Sequence, residues 1–167
     1  RNVTVSAIVA AIVLIGDQLS KHWAETWLRT NGEYKIWDGV LHLRYVENRG
    51  AAFGMMQGGK WFFLAITGIA CAAMLYFLIK ERKRLHFMMT FSIALLLSGA
   101  IGNLIDRVAL GYVRDMIYVA LIDFAVFNVA DMAVTVGCCL LVLDLLFFKG
   151  KKYMEMMDKK PQTGENS

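Results

Sequence analysis

Trp61 to Ile79 runs for nineteen residues without a charge. A helix needs about twenty residues to cross ~30 Å of bilayer hydrocarbon, so this run has the length of a membrane span. Two more runs match it: Leu85 to Ile105, broken only by His86, and Met132 to Phe148, with Asp144 near its end. A fourth, Asn2 to Gly16, is short by itself. Asp17 and Lys21 follow it four residues apart, so they can pair on one helix face and carry the helix on to Trp27. No small-residue cleavage site follows this apolar run, which argues against a removable signal sequence. Hydrophobic residues make up 57% of the 167 and charged residues only 19%. A soluble body of this size has too little interior to hide that much apolar surface. The expectation is one all-α membrane domain, a bundle of four transmembrane helices with spans at about 2–27, 61–79, 85–105 and 132–148.

Four spans put both termini on one side. That side holds Arg1, the loop 80–84 and the tail 149–167, with ten Lys and Arg against four acids, a net of +6. The other side holds residues 17–60 and 106–131, with eight Lys and Arg against nine acids, a net of −1. Basic residues stay in the cytoplasm, so the loop 80–84 and the tail are expected there, with loops 28–60 and 106–131 outside. The overall +4 charge is thus a topology signal, and nucleic-acid binding is not needed to explain it.

All four tryptophans, Trp23, Trp27, Trp37 and Trp61, fall on the outer side, where indole prefers the headgroup layer. Between Trp27 and Trp61 the stretch Glu33 to Glu47 is rich in Tyr, Ile, Val and Leu and holds an Asp38-Gly39 turn signal. It reads as a small extracytoplasmic β-hairpin or sheet lying on the outer leaflet. Asn48 to Gly54 is too rich in small residues for a strand and reads as a tight loop.

Five acids crowd the outer ends of the spans: Asp17, Asp106, Asp115, Asp123 and Asp131. Asp106 ends the third span beside Arg107, and Asp131 opens the fourth. The twenty-four residues between them must fold back, so Asp115 can face Asp131 at the membrane surface. Two carboxylates held together cannot both ionise cheaply; one pKa rises, and an acid and a base then coexist. Such a pair can activate water against a peptide carbonyl and protonate the leaving amine. The plainer alternative is that these acids cap helices and form surface ion pairs.

Other chemistries lack their parts. His22, His42 and His86 are scattered over both sides, with no His-Glu-x-x-His pair, so no metal site and no cofactor are expected. Ser20 and Lys21 are adjacent and point apart on a helix, which suits no Ser-Lys dyad. Cys71, Cys138 and Cys139 lie in apolar stretches and read as buried, unpaired thiols. Asp144 lies near Lys149, Lys151 and Lys152 and reads as a snorkelling ion pair. Gly54 and Gly58 have GxxxG spacing but lie outside an apolar span.

Five motifs occur in order: Asp17-x-x-x-Lys21, Asn48-Arg49-Gly50-Ala51-Ala52-Phe53, Gly99-x-x-Gly102-Asn103-x-x-Asp106-Arg107, Val113-x-Asp115 and Phe127-Asn128-Val129-Ala130-Asp131. Together they resemble the family of bacterial lipoprotein signal peptidases, also called signal peptidase II. The resemblance implies an aspartic endopeptidase of the bacterial inner membrane, its active site at the extracytoplasmic face. Its implied substrate is a lipid-modified prolipoprotein, cut just before a lipobox cysteine that already carries a diacylglyceryl group. It further implies that Asp115 and Asp131 are the catalytic pair. Asp17, Lys21, Asn48, Arg49, Gly50, Gly99, Asn103, Asp106, Arg107, Asn128 and Ala130 then bind substrate or support the site. Asp123 matches no catalytic position and reads as a spectator. Two departures from the family pattern are a short connection from Asp115 to Asp131 and Ser98 where many members carry glycine. Membrane lipids are the other expected partner, and the protein is expected to act as a monomer.

The alternative reading is a small proton-coupled transporter with its acids as a relay. It requires ionisable residues near the midplane of several spans, and only Asp144 and His86 approach that position.

Overall fold

The computed structural model describes residues 2–50 and 60–158. The chain begins with α1 (Asn2–Trp23), which runs through a π-helical turn (Ala24–Leu28) into the short α2 (Arg29–Asn31). Two strands follow, β1 (Tyr34–Trp37) and β2 (Leu41–Asn48), then α3 (Lys60–Glu81) and α4 (Phe87–Ala109). The chain returns through β3 (Val113–Tyr118) and a 3₁₀ turn (Ala120–Ile122) to α5 (Val129–Phe147) and α6 (Lys149–Asp158). Among the described residues, four helices are long and apolar enough to cross a membrane. The Gly54–Gly58 spacing and the loop expected beyond Gly50 lie outside the described residues.

α4 is the axis of the bundle: α1, α3 and α5 all pack on it. Three glycines allow close approach on α4 and α5. A Cβ on Gly99 would overlap the carbonyl oxygen of Ala130, and one on Gly137 would lie 2.8 Å from Ser92 O. A Cβ on Gly102 would stand 2.5 Å from Asp17 Oδ2. The outward faces carry Ile8, Ile12, Ile15 and Leu19 on α1, Ile66 and Ile69 on α3, and Val136, Leu143 and Phe147 on α5. Such apolar surface is tolerated where lipid, not water, is the solvent. The cysteines are free but not buried in protein: Cys138 and Cys139 are exposed on the outward surface of α5 and Cys71 is half-buried. An apolar stretch in a span need not point inward, because the bilayer accepts it as readily as the core does.

The sheet has the order β1-β2-β3, antiparallel throughout, with Gly39 in the left-handed region at the β1–β2 turn. The expected hairpin is therefore present, but a third strand joins it from a stretch read as outer loop. β3 is buried on both faces. Its Met116 packs with Ala24 and Leu28 of the π turn, and Leu43, Tyr45 and Ile117 close over them. At the other end of the bundle Tyr153 of α6 joins Leu85, Met89 and Ile93 in a second cluster.

The helices also reach further than the charge-free runs. α4 continues to Ala109 and takes in Asp106 and Arg107; α5 begins at Val129 and takes in Asp131. At the far end, Asp144 does not pair with the lysines. It is fully buried, meets His86 Nε2 at 2.8 Å and accepts the Gly150 N–H. A buried carboxylate takes the partner that the packing brings, and α4 brings His86.

Candidate active site

The site forms where β3, the end of α4 and the start of α5 meet. Val46 stands opposite Asp115 in the sheet, and Asn48 opposite Val113. Alternation along a strand puts these four side chains on one face, and all four line a single cavity of about 840 Å³. Asn48 reaches diagonally to Asp115, Nδ2 donating to Oδ2 at 3.1 Å, while its own Oδ1 accepts the Gly50 N–H at 3.1 Å.

Phe127 brings the second carboxylate to the first. It bridges to Ile117 of β3, with N–H to O distances of 2.8 and 3.0 Å in the two directions. The chain is thus held against β3 two residues before α5 starts. Asn128 caps α5: its Oδ1 accepts the Asp131 N–H at 2.9 Å, and Asp131 Oδ2 accepts the Asn128 N–H at 3.1 Å. This reciprocal box satisfies two orphan helix donors and points Asp131 Oδ1 toward α4, where Asn103 Nδ2 donates to it at 2.7 Å. Asn128 Nδ2 donates to Asp115 Oδ1 at 2.6 Å. One side chain therefore bonds to both aspartates. The helix-cap alternative holds for Asp131, since the carboxylate that lines the cavity also accepts the Asn128 N–H.

Burial pushes the Asp115 carboxyl up to about 7. The bonds from Asn48 and Asn128 pull it down, and the charge of Asp131 pushes it up again. A buried carboxyl that holds its proton near neutrality beside a second carboxylate is the arrangement required for acid and base to coexist.

The expected supporting residues fall into two groups. Asn48, Arg49, Gly50, Asn103 and Arg107 line the cavity with the aspartates. Arg49 is a rim residue, paired with Glu47 at 3.1 Å and lying 5.1 Å from the Tyr112 ring centre. Asp17, Lys21, Gly99, Asp106, Asn128 and Ala130 stand behind that wall. Lys21 and Asp17 are fully buried and pair at 2.8 Å, as the spacing of four predicts, and Lys21 Nζ also donates to Asn103 Oδ1 at 2.9 Å. Asp17 Oδ1 accepts the Ala130 N–H at 2.9 Å, which ties α1 to the start of α5. Gly99, Gly102 and Ala130 are there for close helix packing. Asp123 does not line the cavity; it accepts from the Tyr118 hydroxyl at 2.6 Å in a turn.

Sequence reasoning missed Arg114, Gln18 and Glu25. It placed Asp106 beside Arg107, whereas Asp106 is held by Arg114, Nη2 to Oδ1 at 2.8 Å and Nε to Oδ2 at 3.1 Å. The available signal was a lone cation directly before Asp115. It also missed the apolar cavity wall of Phe124, Val126, Phe127, Met132 and Val136, which no motif marks. Among the described residues no three His, Cys, Asp or Glu side chains converge as a metal set.

Comparison with known proteins bears directly on this site. The family described as signal peptidase (SPase) II matches residues 9–147. The chain belongs to the signal peptidase II family. A lipoprotein signal peptidase of Streptococcus thermophilus strain CNRZ 1066 is 46% identical over 138 residues, 82% of this chain and 90% of that protein. One of Clostridioides difficile strain 630 is 44% identical over 145 residues, 86% of this chain and 97% of that protein. A bacterial membrane enzyme solved by the in meso method at 2.3 Å superposes with a TM-score of 0.79 at 33% identity, covering 97% of this chain and 95% of that one. A second, at 1.9 Å, gives 0.78 at 36%, covering 86% and 94%. The signal peptidase II match spans every element that builds the cavity, from α1 to α5. The protein is a multi-pass membrane peptidase of this family, and no observation favours a transporter: Asp144 pairs with His86 at the opposite end of the bundle from Asp17, Asp106, Asp115 and Asp131.

Proposed function

We propose that the protein is an aspartic endopeptidase that removes the signal peptide from diacylglyceryl-modified prolipoproteins, with Asp115 and Asp131 as its catalytic pair. One observation carries the aspartic assignment: Asn128 donates to both carboxylates in the wall of one cavity, with its side-chain amide to Asp115 and its backbone N–H to Asp131. The names of the relatives supply the substrate class. The pair carries one proton between two carboxyls. Asp131 takes a proton from water as its oxygen attacks the scissile carbonyl carbon, and Asp115 gives its proton to the carbonyl oxygen. The tetrahedral intermediate collapses as the C–N bond breaks, and a proton passes to the leaving amine. Asn103 and Asn128 hold Asp131; Asn48 and Asn128 hold Asp115. The leaving amine belongs to the lipobox cysteine.

The cavity sits at the tryptophan-bearing, less basic end of the bundle, which supports an extracytoplasmic active site and cytoplasmic termini in the bacterial inner membrane. Phe124, Met132 and Val136 give the cavity an apolar wall beside the outward face of α5. A lipid anchor on the substrate, at about 0.8 kcal/mol per buried CH₂, would hold the scissile bond at that depth. A single chain supplies both carboxylates and every bond to them described above, which supports action as a monomer.

The test is cleavage of a purified lipidated prolipoprotein in detergent, with and without a chelator. Turnover should be unchanged by the chelator; loss that zinc restores would contradict an aspartic mechanism. Sidedness is checked by labelling a Lys83→Cys protein, free of its native cysteines, from outside intact cells. No labelling is expected, and strong labelling reverses the topology.

A further inference from the structure

We propose that Arg114 is a positioning residue for the catalytic pair, fixing from the far side of β3 the direction in which Asp115 faces the substrate. The proposal rests on the aspartic reading and assigns work to a residue that the reading does not use. Neighbouring residues of a strand point to opposite faces, so Asp115 looks into the cavity and Arg114 into the helices. Arg114 is buried there, with 8% of its surface exposed. Its planar fork meets Asp106 of α4 with both prongs, and a bidentate arginine–carboxylate pair fixes orientation as well as distance. Nη1 donates to Glu25 Oε2 at 3.0 Å and Nη2 to Gln18 Oε1 at 3.2 Å, both on the first helical segment. Its main chain is held as well: the N–H donates to Asp106 Oδ2 at 2.9 Å, and the carbonyl accepts from Asn128 Nδ2 at 3.4 Å. Glu25 lies in the π-helical turn, a distortion that recurs at functional sites. One residue thus ties α4, the π turn and the cap of α5 to the peptide unit that precedes Asp115.

A second route leads to Asp131. Asp106 Oδ2 lies 3.8 Å from Lys21 Nζ, and Lys21 bonds to Asn103, which donates to Asp131. Without the arginine fork, Asp106 keeps Lys21 as its nearest cation and draws it away from Asn103. Lysine in place of Arg114 restores the charge but not the fork, because an ammonium is a point charge. A misplacement of about 1 Å at reacting groups can lower a rate by ~10²-fold.

The experiment measures kcat, KM and the unfolding midpoint of Arg114→Lys, Glu25→Gln and the double variant in detergent, against a lipidated prolipoprotein, with Asp115→Asn alongside. Arg114→Lys should lower kcat per folded enzyme by ~10–100-fold with KM unchanged. Glu25→Gln, a milder change, should lower kcat several-fold at an unchanged midpoint, and the double variant should lose less than the product of the two single losses, because the residues act as one unit. If Arg114→Lys does not fold, Glu25→Gln decides. Wild-type kcat per folded enzyme in every variant that folds, with Asp115→Asn inactive, overturns the brace and leaves the pair standing. Substantial turnover by Asp115→Asn overturns the pair and the brace with it.

Discussion

Asn128 donates to Asp115 Oδ1 at 2.6 Å with the same side chain whose oxygen caps the first turn of α5. The cap of α5 and the seat of the Asp115 carboxyl are therefore built on one side chain. Asp115 is held in a buried place chosen by the fold and not by its own hydration. Burial raises its carboxyl to about 7 from an ordinary 3.8. Folded protein then keeps the Asp115 proton where unfolded protein has lost it, so the contribution of Asp115 to stability falls as pH rises from about 4 to about 7 and is flat above. Asp115→Asn removes this slope. The stability of Asp115→Asn relative to wild type should rise over that window by up to ~4 kcal/mol, whatever the constant offset from altered hydrogen bonds. Unfolding midpoints across pH measure it, and parallel curves for the two proteins would contradict it. In wild type, kcat/KM should decline above about pH 7 as the pair loses its shared proton.

Lys21 is fully buried behind Asp131, bonded to Asp17 and Asn103. Lys21→Ala strands the Asp17 carboxylate in the interior, and breaking a buried pair from one side costs about 3–5 kcal/mol. The unfolding midpoint should drop sharply. Turnover should fall less than in either aspartate variant, since Asn103 can still donate to Asp131. Wild-type midpoint and turnover in both Lys21→Ala and Asp17→Ala would show that the pair is incidental.

The glycines of α4 set the distance between helices. Gly102→Ala places a carbon 2.5 Å from Asp17 Oδ2 and 3.3 Å from the Ala130 Cβ. Gly99→Ala places one against the Ala130 carbonyl and 2.7 Å from Val134 Cγ2. Each should destabilise by ~1–3 kcal/mol, the ordinary range for overpacking, and reduce turnover by shifting Asn128 and Asp131 with Ala130. Gly68 on α3 has no atom within 4 Å of an added Cβ, so Gly68→Ala should neither destabilise the protein nor lower turnover. Equal effects at all three positions would refute the packing account.

What could be read from the sequence was local. Asp17 and Lys21 are four apart on one helix, and Asn128 to Asp131 is a helix start, so spacing alone predicts their contacts. The charge-free runs predict the spans because the bilayer sets their length. β3 was hidden because both of its faces are buried, one against helices and one against the cavity, so Val113 to Tyr118 shows no alternation of apolar and polar residues. Its two charged residues, Arg114 and Asp115, make it look like a loop. Asp106 finds its partner across the turn between α4 and β3, and Asp144 finds His86 fifty-eight residues away. Neither contact has a sequence period to announce it.

The central claim is that Asp115 and Asp131 do the chemistry. The most direct measurement is signal-peptide release from a lipidated prolipoprotein by Asp115→Asn, Asp131→Asn and Asp123→Asn, with the membrane level of each protein measured alongside. Asparagine keeps the shape but removes the base or the proton. General acid–base work is worth about 10²–10⁴-fold, and with water activation also lost the first two should fall to near background at normal protein levels. Asp123→Asn, which loses only a turn contact to Tyr118, should stay close to wild type. Substantial turnover in Asp115→Asn or Asp131→Asn while Asp123→Asn is inactive would contradict the account.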